Sequence, residues 1–334
     1  MSRIRFSVVA LTAALISLIA LPAHASDDAR FPEQWSLQKI GAPTAWASST
    51  GAGVRIGIVD TGVDLTHEDL AGKVVADTSC LGAQGDPARC TGSGQDEQGH
   101  GTHVSGIAAA IKDNHVGIAG VAPDAQLVVA KVLGASGSGS IDDINAGIRW
   151  VVDHGARVVN LSLGDPNFVL TSVNGTPLKD GIEYAWTHGA IPVVASGNTN
   201  PDGLGLLGSS DYGSMNAIVV GATGPSDRVA EYSSPLGNAK WSILAPGGTG
   251  GKTAALDILS TIWKKGERNQ YAALAGTSMA APHVTGALAL LLAEGYSQQG
   301  AVDRLLSTAD HSVGCGLNSG NCVGRLDVAR ATAR

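Results

Sequence analysis

The stretch Gly276-Thr277-Ser278-Met279-Ala280-Ala281-Pro282-His283-Val284-Thr285-Gly286 opens a long run of small and aliphatic residues. Residues 284–292 are almost all apolar, which predicts a helix buried on every side. Gly276 and Pro282 mark its start, because proline is tolerated in a first turn, where the N–H has no helical partner. Ser278 therefore begins a buried helix. It could be an N-cap, or a nucleophile whose oxyanion is stabilised by the free N–H groups and the helix dipole.

Short, continuous apolar strands alternate with helices along the chain. Strands are predicted at 54–59, 127–132, 158–163, 191–195 and 217–220, with weaker ones at 243–244 and 258–262. Helices are predicted at 101–111, 140–154, 180–188, 278–295 and 301–306, and a polar loop at 77–98. This alternation predicts an α/β fold of three layers, with a mostly parallel central sheet and helices on both faces.

The composition is that of a globular, glycine-rich protein. Charged residues make up 15% of the 334 residues, 45 residues are glycine, and the formal net charge is −7. There is no cluster of lysine and arginine. We therefore exclude nucleic acids and anionic membrane surfaces as partners.

The first 25 residues have the pattern of a secretory signal peptide. Arg3 and Arg5 precede an apolar run at 8–21, and Ala23-His24-Ala25 is a small-x-small cleavage site. An uncleaved membrane anchor is the alternative, although the apolar run is short for a membrane span. We expect a secreted protein, extracellular or periplasmic, with no membrane association once the signal is removed.

Four cysteines fit an exported protein with structural disulfides. Cys80 lies close to Cys90, and Cys315 lies close to Cys322. Three pairings are possible, and local pairing of each couple closes the smallest loops. We therefore predict the disulfides Cys80–Cys90 and Cys315–Cys322.

Polar residues at the ends of predicted elements supply the groups of an activated serine. Asp60 follows a predicted strand, whereas His100 and Ser278 each begin a predicted helix. A serine hydroxyl needs an imidazole to accept its proton, and the imidazole needs a carboxylate to hold its tautomer. Asn198 offers an amide that could form an oxyanion hole with the Ser278 N–H.

Three separate blocks of the chain resemble the signature blocks of the subtilisin-like serine proteases. They are Val59-Asp60-Thr61-Gly62-Val63-Asp64, His100-Gly101-Thr102-His103-Val104-Ser105-Gly106-Ile107-Ala108-Ala109 and the opening stretch itself. Asn160-Leu161-Ser162-Leu163-Gly164 and Ala195-Ser196-Gly197-Asn198 also match. The resemblance implies a subtilisin-like fold and a serine endopeptidase. It implies that Asp60 orients, His100 is the general base, Ser278 is the nucleophile and Asn198 is the oxyanion donor.

The resemblance also implies an edge that binds the substrate backbone. Ser162, Leu163 and Gly164 would pair with a peptide as an added strand, and Ser196 and Gly197 would border the same site. Asp165 departs from the small residue that is usual in the family, and residues 199–216 match poorly. The cleavage specificity is therefore left open between a preference for basic side chains and a solvent-facing aspartate without effect.

The family often binds calcium, and the matching positions here are Asp69, Asn114, Val116 and Ile118. Carboxylate, amide and carbonyl oxygens on a tight loop suit Ca²⁺. The N-terminal ligand of the family site has no clear equivalent in residues 26–36. The resemblance thus implies a possible structural calcium, but no cofactor for the chemistry.

Other patterns have competing explanations. His100 and His103 could suggest zinc, but they lack a third ligand, and Asp60-Thr61-Gly62 is only half of an aspartic-protease site. Residues 247–253 resemble a phosphate loop, although the first glycine is replaced by Pro246. Asn174 begins a glycosylation sequon.

We expect a single peptidase domain at 26–334 without a separate pro-domain, and a monomer that acts on proteins or peptides. The competing hypothesis is a catalytically silent relative that binds peptide strands.

Overall fold

The computed structural model describes residues 26–163, 178–198, 212–316 and 319–333. Its strands are β1 (Arg55–Asp60), β2 (Val74–Ser79), β3 (Gln126–Lys131), β4 (Val158–Leu161), β5 (Ile191–Ala195), β6 (Ile218–Thr223), β7 (Trp241–Pro246), β8 (Ile258–Ile262), β9 (Gln270–Leu274) and β10 (Cys322–Arg325). Its α-helices are α1 (Trp35–Lys39), α2 (Ala42–Ala45), α3 (His100–Ala109), α4 (Ile141–Asp153), α5 (Lys179–Thr187), α6 (Thr277–Ala293), α7 (Gln298–Ser307) and α8 (Val328–Thr332).

Eight strands form one central sheet in the order β10-β7-β6-β5-β4-β1-β3-β2. Every neighbouring pair in it is parallel. The predicted α/β fold with a parallel central sheet is therefore confirmed. The strand predicted at 258–262 is present, but it pairs with β9 in a separate antiparallel hairpin.

Strands β2, β9 and β10 were not predicted, and the polar loop expected from residue 77 begins later. Asp77, Thr78 and Ser79 belong to β2. Because β2 is an edge strand that pairs only with β3, it carries polar and half-buried residues instead of a continuous apolar run. A pattern of hydrophobicity alone does not reveal such a strand.

Helix α6 is the centre of the molecule. All of its residues from Thr277 to Leu292 are buried, as the opening stretch predicts. It packs against α3 and against β4 to β7. Pro282 is the sixth residue of the helix, so the prediction that it lies in the first turn is wrong.

Strands β5, β4 and β1 are neighbours in the sheet, and their carboxyl ends meet at one edge. Asn198 follows β5, Ser162 follows β4, and Asp60 ends β1. Ligands and catalytic groups in open parallel sheets collect at this edge. The fold therefore places these three side chains in one region.

Both predicted disulfides are present, and they join Cys80 to Cys90 and Cys315 to Cys322. The first disulfide closes a loop that is held on α4 by Asp143. The Asp143 carboxylate accepts hydrogen bonds from the N–H groups of Gly82 and Gln84, both at 3.0 Å.

Some predictions fall on residues that the structure does not describe. These residues are the signal sequence 1–25, Gly164, Asp165, Asn174 and most of 199–216. Within the described part of the chain, no helix has the length and apolar character to cross a membrane.

Candidate active site

Asp60 and His100 form a hydrogen-bonded pair. The Oδ1 atom of Asp60 lies 2.8 Å from Nδ1 of His100 and also accepts the N–H of Thr61 at 2.7 Å. The Asp60 side chain is fully buried, whereas a quarter of the His100 side chain is exposed. This geometry commits Nδ1 of the imidazole to the carboxylate.

The contact between the two residues depends on glycine. A Cβ atom on Gly101 would lie 2.0 Å from the carbonyl oxygen of Gly62, so only glycine lets α3 approach the loop after β1. The N–H of Gly101 also donates to Oγ1 of Thr61 at 2.8 Å. The glycine after His100 is therefore required by the close packing of the two backbones.

The sequence did not point to Asp96, which holds the backbone just before His100. Its buried carboxylate accepts the N–H groups of Gln98 and Gly99, both at 2.9 Å, and that of Thr102 at 3.0 Å. An acidic residue at the start of a helix is stabilised by free N–H groups. Its position four residues before His100 is the signal that could have identified it.

Ser278 lies at the start of α6, where it is buried with 4% exposure. The helix begins at Thr277, and the N-cap residue is Gly276. The Ser278 hydroxyl donates to the carbonyl oxygen of Ser162 at 3.3 Å. The N-cap explanation of Ser278 is therefore wrong, because its hydroxyl is directed at the end of β4 and not at the helix backbone. Helix α3, which begins with His100, packs against α6.

Asn198 has a fixed orientation. Its Oδ1 accepts hydrogen bonds from the N–H and the hydroxyl of Thr277, at 3.0 and 3.1 Å. The hydroxyl of Thr277 in turn accepts the N–H of Gly197 at 3.2 Å. Since the carbonyl end is held at the helix start, the Nδ2 end of the amide remains to donate to a ligand beside Ser278.

The other histidines of the two blocks are structural. His103 and His283 are wholly buried, and burial lowers the pKa of His103 to about 3 and that of His283 to about 4. Nε2 of His103 lies 3.0 Å from the carbonyl oxygen of Ala272. Among the described residues, no three histidine, cysteine, aspartate or glutamate side chains cluster as a metal site requires.

The four residues of the predicted calcium site do come together, around the buried Asp69. Its carboxylate accepts the Nδ2–H of Asn114 and the N–H of Ile118, both at 2.8 Å, and lies 3.0 Å from the hydroxyl of Tyr271. Oδ1 of Asn114 accepts the N–H of Val116 at 3.0 Å. Calcium takes only oxygen ligands, whereas Asp69 is surrounded here by hydrogen-bond donors. This donor set does not fit a cation.

The N-terminal segment supports the same loop from the other side. Asp28 is 3% exposed, and its carboxylate accepts the N–H groups of Asp113 and Asn114 at 3.2 and 3.0 Å. The N–H of Arg30 donates to the carbonyl of Gly117 at 2.7 Å. Hydrogen bonds to carboxylates thus hold the loop, a role that the sequence did not indicate.

The glycine-rich segment 247–253 is also occupied by a carboxylate. Asp257 Oδ1 accepts the N–H groups of Thr249 and Gly250 at 2.9 and 3.0 Å. The amides that a phosphate would need are therefore directed at an internal anion.

At the carboxyl edge of the parallel sheet, Asp60 is hydrogen-bonded to His100 and Ser162 is hydrogen-bonded to Ser278. Residues 51–320 match the subtilase family of peptidases, which is most of the chain. The chain belongs to the subtilase family and is a serine endopeptidase, whose substrates are proteins or peptides.

Similar proteins cover most of the chain. Thermitase from Thermoactinomyces vulgaris is 38% identical over 283 residues, which cover 85% of this chain and 90% of that protein. Subtilisin Savinase from Lederbergia lenta is 39% identical over 260 residues, covering 77% and 83%. A solved structure of a protease from Pseudoalteromonas arctica PAMC 21717 is 28% identical, with a TM-score of 0.76 and coverage of 92% and 98%.

Proposed function

We propose that the protein is a secreted serine endopeptidase in which Ser278, His100 and Asp60 form a catalytic triad. The observation that carries the proposal is the 2.8 Å hydrogen bond between the buried Asp60 carboxylate and Nδ1 of His100. It holds the imidazole with Nε2 free of its proton, which is the state that can take a proton from a serine.

In the first step, His100 accepts the Ser278 proton as the hydroxyl oxygen attacks the peptide carbonyl. The imidazolium then gives that proton to the leaving amine, and an acyl-enzyme remains on Ser278. Water deprotonated by His100 hydrolyses the ester and restores the serine. The buried Asp60 stabilises the imidazolium without itself taking a proton.

The negative charge that develops on the carbonyl oxygen requires donors that are already oriented. The N–H of Ser278, at the start of α6, and Nδ2 of Asn198 are the proposed pair. Thr277 supports the second donor, because its N–H and hydroxyl hold the opposite end of the Asn198 amide.

The substrate backbone would bind beside the end of β4. Ser162 and Leu163 lie there, buried, and Gly164 follows them in the chain beyond the described residues. Ser196 and Gly197, after β5, would border the same cleft. A peptide that adds to such an edge is recognised through its main chain, which suits an enzyme that acts on many sequences.

We base the proposal of secretion on residues 1–25, which would be cleaved off as a signal peptide. Residues 26–334 would then form one peptidase domain. The two disulfides support secretion, because such bonds persist in oxidising compartments. We propose a monomer.

Protein cleavage by the purified chain and by Ser278→Ala tests this function. The parent should degrade an unfolded protein such as casein, and Ser278→Ala should lose nearly all of that activity. Full binding of casein by both proteins without cleavage by either would favour the silent peptide-binding relative.

A further inference from the structure

Pro282 leaves a gap in the hydrogen bonding of α6 directly at Ser278. In an α-helix the carbonyl of residue i accepts the N–H of residue i+4, so the partner of the Ser278 carbonyl would be the N–H of residue 282. Proline has no N–H, and its ring crowds the carbonyl four residues earlier. The Ser278 carbonyl therefore needs a donor from outside the helix.

Ser162 supplies that donor. Its hydroxyl donates to the carbonyl oxygen of Ser278 at 2.8 Å, while its own carbonyl accepts the Ser278 hydroxyl at 3.3 Å. Ser162, at the end of β4, thus binds Ser278 through both its main-chain carbonyl and its side-chain hydroxyl. Both residues are buried, with 3% and 4% exposure, so no water competes strongly for these bonds.

Two further buried groups orient the Ser162 hydroxyl. Nδ2 of Asn160 donates to Oγ of Ser162 at 2.9 Å, and Oδ1 of Asn160 accepts the hydroxyl of Thr285 at 3.0 Å. Asn160 and Thr285 are both fully buried. Because each group donates to the next, the order Thr285, Asn160, Ser162, Ser278 is a single head-to-tail chain, and such chains strengthen their members.

We infer that Thr285, Asn160 and Ser162 are positioning residues that fix the nucleophile by replacing the hydrogen bond that Pro282 removes. The chain closes a ring, since Thr285 lies two turns after Ser278 on the same helix. The ring sets the rotation of the Ser278 main chain, and with it the directions of its Oγ and of its oxyanion-hole N–H. Small errors in such directions are costly in rate. This inference rests on Ser278 being the nucleophile.

Thr285→Val tests it, because valine keeps the shape and removes only the hydroxyl. We expect kcat and the rate of Ser278 labelling by a fluorophosphonate to fall about fivefold, with KM little changed. This is the size of effect expected when one hydrogen bond that positions the nucleophile is lost. Thr285→Ser, which keeps the hydroxyl, should restore both rates. Ser162→Ala should lose about tenfold, and Thr285→Val should add nothing further in that background, because its effect passes through Ser162.

Thr332→Val is the matched control. Thr332 is also a buried helical threonine, and its hydroxyl donates to the carbonyl of Val328 at 3.1 Å in α8, outside the ring. It should lower the melting temperature to a similar extent and leave kcat unchanged. If Thr285→Val cannot be purified folded, Ser162→Ala is compared with Ser242→Ala, whose buried hydroxyl has no partner among the described residues.

Four outcomes would overturn the inference: parental rates in Thr285→Val, equal losses of rate in Thr285→Val and Thr332→Val, additive losses in the double variant, or equal rates in Ser162→Ala and Ser242→Ala. A parent protein that the fluorophosphonate does not label would instead refute the proposed function.

Discussion

The carboxylate of Asp60 and Nδ1 of His100 meet at 2.8 Å across 40 positions of sequence, one at the end of a strand and the other at the start of a helix. Asp60→Asn would keep the size of the side chain but could hold His100 in the wrong tautomer. We expect kcat to fall by about four powers of ten, as it does when this carboxylate is removed from a subtilisin, a member of the same family. Steady-state cleavage of a peptide substrate measures the loss.

Asp86→Asn is the control for that change. Asp86 lies in the disulfide loop, and its Oδ1 accepts the N–H of Ala88 at 2.9 Å. The control should keep the parental kcat. An Asp60→Asn enzyme with more than a tenth of the parental kcat would refute the orienting role.

The amide of Asn198 is expected to act only in the transition state. Asn198→Ala should lower kcat about 100- to 1000-fold with KM nearly constant, the range measured for one such donor in a subtilisin of this family. Thr277→Val removes one of the bonds that hold Oδ1 of Asn198, so its loss should be smaller and in the same direction. Steady-state kinetics with one peptide substrate measure both constants. The control is Asn321→Ala, which removes the hydrogen bond from Nδ2 of Asn321 to the carbonyl of Ala239 at 2.9 Å. A change in KM with kcat unchanged would contradict the role of Asn198.

The folded protein should lose stability in acid through two histidines. Burial lowers the pKa of His103 to about 3 and of His283 to about 4, from an ordinary value of 6.5. Between pH 6.5 and 4 the unfolded chain therefore binds protons that the folded chain excludes. The free energy of unfolding should therefore decrease as the pH is lowered. At pH values well below 6.5 the decrease should be about 1.4 kcal/mol per pH unit for each histidine.

Unfolding by denaturant at several pH values tests this, in a Ser278→Ala background that prevents self-digestion. His103→Gln retains a donor for the carbonyl of Ala272 but cannot titrate. It should therefore reduce the slope of the unfolding free energy against pH by the contribution of one proton, about 1.4 kcal/mol per pH unit. A slope identical to that of the parent would show that His103 does not contribute.

The loop around Asp69 should not need calcium. Because Asn114 and Ile118 donate to its carboxylate, a chelator should leave the melting temperature of the Ser278→Ala protein unchanged. Asn114→Asp places a second carboxylate there, so it should lower the melting temperature and make it respond to added Ca²⁺. A chelator-induced drop in the parent, reversed by Ca²⁺, would show that Asn114 turns its oxygen to a cation.

Local signals in the sequence were sufficient to predict the fold class, whereas the roles of the candidate residues were inferred from their positions and from the resemblance to a family. Continuous apolar strands indicate a parallel sheet, and this sheet then groups Asp60, Ser162 and Asn198 at one edge. The disulfide pairings followed from the lengths of the closed loops. Each of these inferences uses neighbours in the sequence or a general rule of topology.

The features that escaped prediction depend on contacts between distant residues. Strand β2 is polar because it lies at the edge of the sheet, and the direction of the Asn114 amide depends on Asp69, 45 positions away. Pro282 was assigned to the first turn, because the sequence does not show that the helix already begins at Thr277. The bond from Ser162 to the Ser278 carbonyl joins residues 116 positions apart.

The most direct test of Ser278 as the nucleophile is the site of covalent modification by a fluorophosphonate. The purified protein is treated with the reagent, digested with a second protease and mapped by mass spectrometry. We expect one adduct, on Ser278, whose formation slows in Asp60→Asn and is absent in Ser278→Ala. An adduct on another residue, or equal labelling of Ser278→Ala, would contradict it.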